Sequence, residues 1–324
     1  MLQLRLSAAQ RGVLIAVAIF AAMFAVYGWK QPVGLTSNVI NTASNKGALL
    51  ALVAMAQTLP VLTGGLDLSV GAIFVLSNCL ASSIVVGDPL STAVGVVTVL
   101  LVGTLCGATN GIIIVYGRLQ PLIVTLAMGA VYFGIALALR PQPGGSVNFE
   151  LADFMTRSTY AVPHSAVLLL LVVLLIWIPY RRSVLGRAAF AIGSAEQAAY
   201  MSGVPIARAK VLAFALSGLL ASIGGLLLTA VTYSGAAKMS IANDYTLNSI
   251  GAVVIGGTSL FGGVGSAVGS IFGAFVMRTV GDLLIVFDIN PVLQPLFVGL
   301  VLLVAVCAGS LRVLRIKNKL DLYR

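Results

Sequence analysis

Long apolar runs, interrupted at intervals by glycine, proline or a few charges, dominate the chain. They lie near residues 12–29, 43–62, 70–86, 91–117, 121–139, 165–180, 211–233, 244–257, 264–281 and 291–309. A run of about 18 or more apolar residues can cross the hydrocarbon core as a helix. The pattern therefore predicts an all-α integral membrane protein of about ten transmembrane helices. The eighth run is short and reads as a broken or re-entrant helix, which survives at membrane depth only where other protein shields it from lipid. Only two connectors are long, 140–164 and 181–210, so residues 1–324 read as a single transmembrane domain with no room for a soluble catalytic one. The first run ends in Tyr27-Gly28-Trp29-Lys30 without a small-residue cleavage site, and reads as a span rather than a removed leader.

Charge adds direction to this pattern. With both termini in the cytoplasm, only six of the 19 Lys and Arg fall outside (Lys30, Lys46, Arg140, Arg157, Lys238 and Arg278), and the rest fall inside. That bias follows the positive-inside rule. Acidic residues lean outward, with Asp88, Glu150, Asp153, Asp244, Asp282 and Asp288 on the external side. The net charge of +10 is spread between the runs rather than along a basic stripe, so nucleic acid is not the partner. Cys79, Cys106 and Cys307 sit in apolar runs without metal-type spacing and read as packing residues.

Glycine spacing adds helix packing. The fourth run carries Gly103, Gly107 and Gly111, and the ninth carries Gly265, Gly269 and Gly273. Glycines four apart share a helix face and let a neighbouring backbone approach closely. Two readings follow: spans 2–5 and 7–10 form an inverted repeat with these helices equivalent, or the spacing is ordinary membrane-helix packing.

Candidate chemistry is sparse. No G-x-x-x-x-G-K-[ST] phosphate loop occurs, so the chain is not itself an ATPase. The stretch with Gly256, Gly257, Gly262 and Gly263 is no dinucleotide fingerprint and reads as a turn where backbones meet. In Thr63–Gly71, Asp67 is the only acid of the first 87 residues. An acid near membrane depth costs about 2.5–3.5 kcal/mol on insertion scales and needs a partner or a task. Either Asp67 or Ser69 caps the third span, or Gly64, Gly65, Asp67 and Ser69 form a hinge and gate; both can hold. Asn41, Asn45, Gln57, Asn78, Asn110, Thr125 and Asn248 supply the amides and hydroxyls that a path for a neutral polyol would need. In the internal connector, Ser194 and Gln197 predict a capping box, and Gly203 with Pro205 a stop. The short helix so defined, with Ala195, Glu196, Ala198, Ala199, Tyr200 and Met201, suits docking into a partner's groove. His164, the only histidine, makes neither a metal site nor a relay.

Taken in order, TGGLDLSVG at 63–71, Asn110-Gly111, QPLIVTL at 120–126, IGSAEQAAYMSGV at 192–204 and AVVIGGTSLFGGVG at 252–265 resemble the ribose-type permeases of bacterial ABC sugar importers. The resemblance covers about residues 40 to 309. It implies an inner-membrane pore subunit for a monosaccharide or related polyol, with no cofactor in this chain. It further implies a second permease subunit, two cytoplasmic ATPase domains carrying ATP and Mg, and a periplasmic sugar-binding protein. Ser194–Gly203 would then be the coupling helix. Tyr245–Val254 and Arg140–Pro143 depart from the family's usual pattern near the expected outer mouth, which leaves the sugar open. Two rivals remain: a branched-chain amino-acid permease of the same machinery, and an ion-coupled transporter.

Overall fold

Membrane helices pack small residues inward and present large apolar ones to lipid, and α4 (Pro89–Tyr116) follows that rule. Thr92, Gly95, Gly103, Gly107, Asn110 and Gly111 are buried along one stripe, while Leu90, Val94, Val97, Leu101 and Leu105 are exposed along the other. The computed structural model describes residues 8–32, 34–304 and 307. The end of the tenth run and the basic residues at 5, 312, 315, 317, 319 and 324 lie outside the described residues.

Every apolar run has a helix as its body where it is described. The remaining long elements are α1 (Ala8–Lys30), α2 (Ser37–Leu62), α3 (Val70–Ile84) and α5 (Pro121–Leu139). After a short helix α6 (Phe149–Thr156), α7 (His164–Val172) runs through a π-turn at Val173–Trp177 into α8 (Ile178–Arg182). There follow α9 (Val184–Ser194), α10 (Glu196–Met201), α11 (Ile206–Thr232), α12 (Met239–Ile255), α13 (Ala267–Val286) and α14 (Pro291–Val304). Among the described residues, strand is confined to the pairing of Ser158–Thr159 with Val162–Pro163, beside which His164 bonds Thr159 and the Phe154 carbonyl.

Among the described residues, seven helices are long and apolar enough to cross a membrane. The third run yields α3 of 15 residues, about 22 Å at 1.5 Å per residue and short of a ~30 Å core. The eighth yields the 17 residues of α12, and the tenth is described only to Val304. The two short internal helices answer to shielding: α3 is buried from Val70 through Cys79, and α12 lies against α2, α3 and α13. At the centre stands α2, with 48–62 entirely buried and its alanines letting α11, α12 and α13 close around it.

Helix pairing is symmetric under exchange of α2–α5 with α11–α14. α11 packs on α4 as α2 packs on α13, and α11 meets α3 as α2 meets α12. The glycine triplets, however, are not equivalent. Methyl groups at Gly103, Gly107 and Gly111 would collide with Gly218, Phe214 and Val211 of α11. Those at Gly269 and Gly273 would strike Gly256 and Ala252 instead, at the end of α12, and Gly265 lies before α13 against Thr258. Each close crossing needs glycine because backbone meets backbone, so the spacing reports packing rather than the repeat.

Candidate functional site

Asp67 is completely buried in the loop joining α2 to α3, and it does not cap α3. Its Oδ1 accepts from the Ser69 amide (2.9 Å) and Ser69 Oγ (2.6 Å), and its Oδ2 accepts from Ser217 Oγ of α11 (3.1 Å). Ser69 holds the position before α3 but makes no side-chain cap bond. Instead its Oγ accepts from Asn110 Nδ2 of α4 at 2.8 Å. The Tyr132 hydroxyl of α5 stands 3.0 Å from Asn110 Oδ1 and 2.8 Å from the Cys106 carbonyl. From Asn110 onward each donor points toward the carboxyl group, which is how a buried polar chain is satisfied. Two further bonds fix the same loop: Leu68 N–H to Thr125 Oγ1 of α5 (3.0 Å), and Gly71 N–H to Thr246 Oγ1 of α12 (3.1 Å). The 63–71 segment is thus tied to four other helices.

Its other edge meets the two remaining motif segments. The Gly263 amide donates to the Leu62 carbonyl at 3.1 Å, and Gly262 packs on Gly64. A methyl at Gly193, near the end of α9, would collide with the Leu62 carbonyl and with Gly263, while Gly263 itself abuts Ser194. Gly257 lies against Gly12 of α1, and Gly65 faces Pro121 and Phe214. Gly262 and Gly263 adopt φ of +88° and +72°, a region open mainly to glycine. Three sequence segments far apart in the chain therefore join at one face, backbone against backbone.

Beyond this junction projects α10. The capping box does not form: Ser194 closes α9 with its Oγ on the Phe190 carbonyl, and Ala195 starts α10 without a side-chain cap. The expected short helix is the six-residue α10, set off at Ala195 from α9, which buries Ala188, Ala189 and Ile192 and continues to Ser194. Termination is as expected, with Gly203 at φ +73° and the Val204 amide on the Ala199 carbonyl. Only Ala199 of α10 is buried. Glu196 pairs with Lys210 at 2.6 Å, whereas Tyr200 and Met201 are 73% and 84% exposed, with Phe261 of the adjoining turn exposed as well.

The proposed path residues separate. Asn45 and Asn41 bond the Thr156 carbonyl, fastening α2 to the external segment. Asn78 bonds Thr229 and the Ser234 carbonyl and accepts from Ala236. Gln57 is fully buried in α2 with neither amide atom bonded. Asn248 lines a cavity of about 510 Å³ between α12, α13 and α14. Its other polar walls are Asp244, Tyr245, Arg278 and Gln294, set among Leu50, Val298 and Leu302. Asp244 and Arg278 are not within ion-pair distance of each other, and Lys46 pairs with Asp282 one turn beyond Arg278. Sequence reading missed Tyr132, Ser217 and Gln294, since a lone polar residue in an apolar run carries no sign of what it will face.

A family model described as branched-chain amino acid transport system, permease component, matches residues 35–306. The ribose import permease protein of Bacillus subtilis is 34% identical over 83% of this chain and 83% of its own length. The D-allose transport system permease protein of Escherichia coli is 30% identical over 90% of each chain. The fructose import permease protein of Rhizobium meliloti is 33% identical over 80% of this chain and 74% of its own. No solved structure matches.

Proposed function

We take as premise that the chain belongs to the branched-chain amino acid transport system permease family, within its ribose-type branch, and we propose that it is the pore subunit of a bacterial inner-membrane importer for a monosaccharide or polyol. The observation that carries the solute class is the cavity between α12, α13 and α14. Amides from Asn248 and Gln294, the ring of Tyr245 and two charged groups interrupt an otherwise apolar wall, and ionisable groups within spans commonly mark a solute path. Amide donors and acceptors suit hydroxyls, and a relative's ribose, allose or fructose is a solute of that kind.

In this reading α10 is the coupling element. ATP hydrolysed on two partner ATPase domains pushes on Tyr200 and Met201, and the junction at Gly193, Gly262 and Gly64 passes the movement to the Asp67 loop. A second permease subunit and a periplasmic binding protein complete the assembly. The test is uptake of labelled ribose, allose and fructose by cells carrying the whole importer. Asn248→Leu and Gln294→Leu are each expected to cut uptake about tenfold, the effect of one lost hydrogen bond; unchanged uptake of a sugar that the wild type imports sinks the assignment of the cavity. Deleting 195–201 should leave ATPase activity unstimulated by loaded binding protein, and normal stimulation would overturn the role of α10.

One observation favours a second solute. Asp244 and Arg278 line the same cavity, and a zwitterion could present its ammonium to one and its carboxylate to the other. Import of leucine in place of the sugars would select that reading.

A further inference from the structure

On the face that carries α9 and α10, a separate cavity of about 470 Å³ is lined by Trp177, Ile178, Arg181, Arg182 and Arg187. Its construction begins in the helix. Pro179 has no amide proton to give the carbonyl four residues back, and its ring would crowd that carbonyl. The chain widens to a π-turn over Val173–Trp177, with the Ile178 amide bonding the Val173 carbonyl. An inserted residue of this kind shifts the phase of everything after it. Arg181 and Arg182 close α8, and Ser183, whose Oγ accepts from the Gly186 amide, turns the chain so that α9 delivers Arg187 to the same hollow.

All three arginines are exposed, and among the described residues no carboxylate lies within ion-pair distance of any of them. The nearest acid in sequence, Glu196, is already engaged by Lys210. The wall on the other side is apolar and aromatic, formed by the last turns of a segment, His164–Arg182, that is long and apolar enough to cross the membrane. One half of the cavity thus belongs at hydrocarbon depth and the other at headgroup depth, where a tryptophan is favoured. Guanidinium groups bind phosphate in a bidentate fork.

We propose that this cavity is a binding site for the phosphate headgroup of an anionic phospholipid. The three arginines hold the phosphate while half-buried Ile178, backed by Trp177 at 3% exposure, meets the start of the acyl chains. A soluble phosphate would find the charges and gain nothing from the apolar wall, which is why a lipid is the occupant argued here. Basic pockets beside spans on the cytoplasmic side take anionic headgroups in this way.

The test uses the purified full chain in nanodiscs of phosphatidylcholine containing phosphatidylglycerol or cardiolipin, with retained lipid read by native mass spectrometry after transfer to detergent. Wild type should retain the anionic lipid over phosphatidylcholine. Arg182→Gln should weaken retention roughly fivefold, and the triple replacement of Arg181, Arg182 and Arg187 by Gln by on the order of a hundredfold. Arg118→Gln, an exposed arginine elsewhere, should change nothing, and Arg182→Lys should keep part of the effect. Equal retention by wild type and triple variant overturns the proposal, as does a thermal shift with inorganic phosphate as large as that with lipid. Loss of ATPase co-purification in the triple variant with lipid retention intact would assign the arginines to the partner protein instead and would equally overturn it.

Discussion

At the junction of residues 62–69, 193–194 and 262–263, backbones touch with no side chain between them. Between α12, α13 and α14 the backbones stand apart and leave about 510 Å³ walled by side chains of mixed polarity. The recognisable motifs lie in the first region. The second is where Tyr245–Val254 departs from the usual family pattern. Backbone contacts tolerate almost no substitution, so a shared mechanism leaves a shared sequence there; a cavity wall can be exchanged residue by residue to suit another solute.

The sharpest way to break this contrast is Gly193→Leu. Its side chain would have to displace the Leu62 carbonyl and Gly263, and overpacking against backbone belongs at or above the upper end of about 1–3 kcal/mol. Thermal unfolding of the solubilised protein should show a large loss, and an unaltered midpoint would mean that the junction gives way easily. Asp67→Asn keeps the shape but puts an NH2, which cannot accept, in place of one of the oxygens that Ser69 and Ser217 donate to; leaving a buried donor unpaired should cost about 1–2 kcal/mol by the same measurement. Gly134→Ala is the matched control, because a methyl there meets nothing and alanine favours a helix by about 0.5–1 kcal/mol, so stability should hold or rise slightly. Asn248→Leu at the cavity should leave the midpoint within about 0.5 kcal/mol while changing uptake; a large loss of stability would make Asn248 a structural residue.

The smallest effect calibrates an exposed contact. Hydrogen bonds from Ser91 hold the Asp88 carboxyl below its ordinary range, where it also accepts from the Leu90 amide at the start of α4. Its support is present above the unfolded carboxylate pKa and is lost as pH falls through the lower folded value. Amide exchange in the first turn of α4 should quicken only under acid, and a change near neutrality would contradict the assignment.

Periodicity and punctuation made the helices legible, and the oppositely charged pairs join residues that charge had assigned to a common side. Lys46 meets Asp282, both assigned outside, and Lys210 meets Glu196, both assigned inside. The capping box failed because Ser194 had a competing acceptor in its own preceding turn, the Phe190 carbonyl. The third and eighth runs give helices of 15 and 17 residues, and hydropathy does not say whether the apolar medium around such a segment is lipid or protein.

What the sequence by itself determined is therefore the class of molecule, the glycine positions where chains must touch, and the family. Each of these depends on local composition or on spacing along one helix. Tertiary structure decided which distant segments those glycines bring together, that Asp67 is held by Ser69 and Ser217 rather than capping α3, and which polar residues face a cavity. Those outcomes depend on how helices are rotated about their axes and which neighbours they meet. A side chain's direction in a bundle is set by the packing of all the helices at once, and no single run of residues contains it.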